Sequence, residues 1–157
     1  MLLTTSAAAL AALLCTTAVA LGAPATTAAD KPVIVLVHGA FAEGSSWSKV
    51  IPLLTARGYR VVAVQNPYIS LAGDVSATNR VVNQQPGQVV LVGHSSGGTV
   101  ITQAGNNAKV GALVFVSANA PDSGQSINDL QAGMPAAPWA ATLIKDEAGY
   151  LTLPEST

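Results

Sequence analysis

The chain has 157 residues, a length that suits one domain, and carries seven basic and eight acidic side chains for a net charge of −1 at pH 7. The charges are scattered without runs, which argues against a nucleic-acid or acidic-membrane binder. Its single cysteine, Cys15, leaves no pair for an internal disulfide.

Residues 1–29 hold no charge at all. The Ala/Leu-rich run over 6–21 is short for a membrane span, which needs about 20 apolar residues, and Ala18-Val19-Ala20 offers a small-x-small cleavage site, with Ala23 and Ala25 as alternatives. The stretch reads as a signal peptide and short linker, cleaved after Ala20 or within residues 20–29. The mature protein is then secreted or periplasmic, without stable membrane association and without Cys15. The lack of Lys or Arg after Met1 departs from the usual signal pattern.

From Lys31 onward short β-branched runs alternate with longer mixed stretches, the signature of a parallel sheet with crossover helices. Strands are predicted over 33–37, 60–64, 88–92 and 112–116, each almost continuously apolar, as strands covered on both faces should be. Between the first two, Trp47, Val50, Ile51, Leu53 and Leu54 suggest a helix ending at Gly58, with Pro52 near its first turn or kinking it. A second helix is expected over 74–85, closed by Pro86-Gly87, and a third over 97–105. After the fourth strand Pro121 to Gly124 form a turn, and Ser126 with Asp129 makes a capping box for a short helix. The tail, with Pro135, Pro138, Trp139 and Tyr150, reads as the beginning of a lid or insertion from about residue 125 rather than a further sheet element. The fold class is α/β, a doubly wound, mostly parallel sheet with flanking helices.

The chemistry concentrates at two strand ends. Gly93-His94-Ser95-Ser96-Gly97 is a Gly-x-Ser-x-Gly motif between an apolar strand and a helix, the context of a nucleophile elbow, with Ser95 as candidate nucleophile. The first strand ends in His38-Gly39-Ala40-Phe41, and in a doubly wound sheet it should lie beside the third, so both loops converge on one crevice. Acyl transfer needs donors for the developing oxyanion. The amides of Ser96 and Ala40 are the candidates, supported by backbone geometry set at Gly39, Gly93, Gly97 and Gly98. His38 is expected to brace the oxyanion loop, and His94 to point away from the Ser95 hydroxyl. These are the only two histidines, and neither is favoured as a general base. Asp122 can be read as a turn residue or as a triad acid, the turn being favoured. Phe41, His94, Trp47 and Trp139 are candidates for lining a pocket, core packing being the default for Trp47, and Asp146 with Glu147 reads as a solvated pair. No His, Cys or carboxylate cluster has metal-ligand spacing and no Gly-rich phosphate loop is present, so neither metal nor cofactor is expected.

Residues 33–41, Trp47, 92–98, 114–116 and 120–122 together resemble the α/β-hydrolase superfamily, and within it the branch of small esterases and hydroxynitrile lyases. The resemblance spans about residues 31–153. It implies a cofactor-free enzyme acting on a small ester or related carbonyl compound through an acyl-serine at Ser95. The family order is nucleophile, acid, histidine, and no later Asp and His match that pattern here, so residues 31–157 read as an N-terminal part of the domain. The alternative is a catalytically inactive fragment or degenerate small-molecule-binding protein, and lyase or haloperoxidase chemistry on the same fold stays open.

Overall fold

The computed structural model describes residues 31–122 and 124–155; the leader read over residues 1–29 lies outside them. Four parallel strands, β1 (Val33–Val37), β2 (Val61–Ala63), β3 (Val89–Ser95) and β4 (Val110–Ala118), form one sheet in the order β2-β1-β3-β4. The chain steps from β1 to one side, then crosses back to place β3 on the other, so the connection order reverses between β1 and β3. Their register pairs Val33 with Val89 and Val37 with Gly93, which brings the loops after both strands to the same end of the sheet.

Helices cover both faces. α2 (Leu71–Asn83) and α3 (Gly97–Ala104) pack on one side, where Val33, Val35, Val37, Val64, Val82, Val89, Leu91, Val100, Ile101 and Ala104 form the main core. On the other side Ile34 and Leu36 meet Trp47, Val50, Ile51 and Leu54 from a 3-10 turn (Gly44–Trp47) and α1 (Ile51–Thr55). Alternate residues of β1 thus enter opposite cores, which is why all five are buried and why the strand reads as an unbroken apolar run.

Boundaries depart from expectation in several places. The stretch before Gly58 splits into the 3-10 turn and α1, with Pro52 in the first turn of α1, where its missing N–H costs nothing; Gly58 takes φ +79°. α2 begins at Leu71, three residues early, because the Ser70 hydroxyl caps it by accepting the Gly73 N–H. β3 continues through the motif to Ser95, and β4 runs past both expected ends. The tail, expected to hold no further sheet element, forms after α4 (Ile127–Gln131) a 3-10 turn (Pro138–Thr142) and an antiparallel hairpin, β5 (Ile144–Lys145) with β6 (Leu151–Thr152), in a sheet of its own. Asp146 closes this hairpin by accepting the Tyr150 N–H. Such a side-chain turn leaves no apolar periodicity to read. Among the described residues no helix is long and apolar enough to cross a membrane.

Among the described residues β4 lies at the edge of the sheet, exposed along its middle seven residues. Leu113, Val114, Phe115 and Val116 keep 36–43% of their surface in water. An edge with free backbone groups and apolar side chains is a template for pairing with another chain. The protein is therefore expected to self-associate with rising concentration in analytical ultracentrifugation, and Val114→Lys to shift it toward monomer. A monodisperse, cooperatively unfolding monomer at all concentrations contradicts this.

Candidate active site

Ser95 ends β3 with φ +53°, in the left-handed region that a residue with a Cβ rarely occupies. The surrounding packing leaves the turn little alternative. A Cβ at Gly97 would lie 2.6 Å from the His38 carbonyl oxygen and 2.7 Å from that of Val37, so α3 starts directly against the end of β1. A Cβ at Gly39 would come within 2.8 Å of the Ser95 Cβ. Gly93 is pinned likewise, a Cβ there meeting the Gly97 oxygen at 2.7 Å, and at Gly98 a Cβ would strike the Asn119 carbonyl oxygen. The Asn119 N–H donates to the Ser95 carbonyl at 3.0 Å, tying the end of β4 to the same turn.

Around Ser95 lies a cleft of about 300 Å³ lined by Ala40, Phe41, Trp139 and Leu153. Phe41 and Trp139 are half exposed, and Phe41 has φ +60°. A second space of about 640 Å³ opens between Phe41, Tyr68, Ile69 and the hairpin residues Tyr150 and Leu151. A third, about 410 Å³, lies toward Tyr68, Asp74, Ser96 and α4. Ala40 borders all three.

His38 is buried and fully committed. The Asn66 N–H donates to its Nε2 at 3.2 Å, which puts the ring proton on Nδ1, where it faces the Gly39 carbonyl at 3.0 Å. His94 is exposed, edge-on to Trp47 at 6.3 Å between ring centroids, and lines a separate cavity with His38, Ser46, Trp47, Val50 and Val116. Trp47 is core. Asp122 lies in a turn, its N–H donating to Gln125 Oε1 and its carbonyl accepting from Gln125, away from the Ser95 cleft.

Three residues escaped sequence reading. Tyr68, in the loop after β2 and with φ +52°, donates its hydroxyl proton to the His38 carbonyl at 2.7 Å and lies 3.3 Å from Ser96 Oγ. Its backbone N–H is held by buried Asp74 at 2.8 Å, and Asn66 holds the His38 ring. The Ala40 N–H donates to Ser96 Oγ at 2.8 Å. The available signal was positional: Asn66-Pro67-Tyr68 follows a strand at the end of the sheet that carries the motif. Burial, assisted by the Asp74 charge, raises the Tyr68 phenol above its ordinary value against the opposing bonds from Ser96 and Asn66.

The chain belongs to the alpha/beta hydrolase family, whose sequence profile matches residues 34–155. It is similar to a pyrethroid hydrolase of Sphingobium wenxiniae, 34% identical over an alignment of 98 residues that covers 54% of this chain and 35% of that protein. Methylesterase 3 of Arabidopsis thaliana is 35% identical over 112 residues, 61% of this chain and 43% of that one. The solved pyrethroid hydrolase of Sphingobium faniae superposes with a TM-score of 0.68 at 24% identity, covering 80% of this chain and 57% of that one, a likeness of fold. The chain spans about a third to a half of the length of these curated relatives.

Two outcomes are expected. Gly97→Ala forces a methyl group onto the β1 carbonyls and should destabilise the protein by about 1–3 kcal/mol, as overpacking does, measured by urea unfolding. Tyr68 is raised in the folded state, so its contribution to stability is full below the ordinary phenol range and is lost as pH climbs through the folded value. Stability curves of Tyr68→Phe and the parent should therefore differ in slope only on the alkaline side.

Proposed function

We propose that this is a carboxylic ester hydrolase in which Ser95 attacks the carbonyl carbon of a small ester, with the Ser96 and Ala40 amides receiving the oxyanion. An acyl-serine forms as the alcohol leaves, and water then releases the acid. The observation that carries the reading is the backbone of Ser95, held at φ +53° beside a cleft bordered by Ala40. The esterase-type relatives support a small ester as substrate. Phe41, Trp139 and Leu153 are assigned to the apolar part of that substrate, and the segment from about residue 125 to a cap. No cofactor is assigned.

Among the described residues none is assigned the base. His38 has both ring nitrogens engaged, and His94 borders a different cavity. The triad acid is likewise not assigned among the described residues. One observation favours a second reading, a non-catalytic small-molecule binder: the Ala40 amide is already hydrogen-bonded to Ser96 Oγ.

A fluorophosphonate decides between them. With imidazole added as an external base, the label should be found by mass spectrometry on Ser95 and be lost in Ser95→Ala. A chain that stays unlabelled at Ser95 supports the binder. The leader is assigned to secretion, and N-terminal sequencing of exported protein should begin between residues 21 and 30.

A further inference from the structure

We infer that the Ser96 side chain is a positioning residue that plugs the Ala40 amide and is itself aimed by Tyr68. The inference rests on the assignment of that amide to the oxyanion. Proton counting fixes the direction of the network. The Tyr68 hydroxyl has one proton and gives it to the His38 carbonyl at 2.7 Å. In the 3.3 Å contact between Tyr68 and Ser96 the donor is therefore Ser96, whose oxygen turns a lone pair to the Ala40 N–H at 2.8 Å. Donation runs one way, from Ala40 to Ser96 to Tyr68 to the end of β1. Buried Asp74 anchors the far side through the Tyr68 N–H, and the raised phenol stays protonated, as the order requires.

The plug has a chemical consequence. A neutral ester carbonyl reaching Ala40 competes with a neutral hydroxyl already seated there and gains little by the exchange. A tetrahedral oxyanion accepts charge-assisted bonds roughly twice as strong and displaces the hydroxyl. The Ser96 side chain thus withholds the donor from the ground state and yields it only as charge develops. It still costs the reaction one hydrogen bond at Ala40. Removing the hydroxyl should speed hole-dependent acylation by about three- to tenfold, the range expected for one net hydrogen bond.

The test compares the full chain with Ser96→Ala, Ser96→Thr and Tyr68→Phe, reading the Ala40 amide proton by NMR and the rate of Ser95 modification by a fluorophosphonate with imidazole added as an external base. Expected are an upfield move of the Ala40 proton in Ser96→Ala, its restoration in Ser96→Thr, an intermediate position in Tyr68→Phe, and about three- to tenfold faster labelling in Ser96→Ala. An unmoved Ala40 proton overturns the inference, as does equal or slower labelling in Ser96→Ala. Absence of label on Ser95 in every variant rejects the nucleophile assignment instead, and the Ala40 signal alone then decides whether Ser96 holds that amide.

Discussion

The close approach of the β3–α3 turn to the end of β1 is the constraint on which the site depends. Three backbone segments, the end of β1, the Ser95 turn and the Asn119 loop, meet where side chains have no room, and glycines at 39, 93, 97 and 98 make the meeting feasible. Ser95 is the residue in this knot that keeps a side chain and bears φ +53°. Strain of this kind costs on the order of 1–3 kcal/mol and persists only where the surroundings over-determine it. Here they do so through two buried cores gripping β1 from opposite faces.

From that knot a polar layer spreads along the carboxyl ends of the strands. His38 is locked by Asn66 and Gly39, Tyr68 ties the loop after β2 to the end of β1, and Asp74 fixes the Tyr68 backbone from the first turn of α2. Each of these groups is satisfied by a backbone partner, so the layer is rigid rather than reactive. Ser96 joins this layer from the cap position before α3, as the partner of the Ala40 amide.

Much of this was legible because its causes are local. Val33–Val37 reads as a strand covered on both faces because successive side chains enter different cores, and Gly-x-Ser-x-Gly after a strand reads as a turn because so few sequences fit it. The adjacency of β1 and β3 followed from the rules of doubly wound sheets. Tyr68 and Asp74 were invisible for the opposite reason. The contacts of Tyr68 with His38 and Ser96 exist only once β2 lies beside β1, and Asp74, which holds the Tyr68 N–H, was read as a helix start although Ser70 supplies the cap. The hairpin of β5 and β6 rests on Asp146 accepting a backbone N–H, which left that carboxylate looking merely solvated.

The parallel pairing of β1 with β3 also bears on how the chain reaches this state. Val33 cannot meet Val89 until β2, α2 and the loops between them have been looped out, and closing a loop of that length costs entropy before any contact repays it. Topologies dominated by such distant pairings fold slowly. The glycine-rich turn can close only once that search has ended, which places the Ser95 backbone among the late features to form during folding.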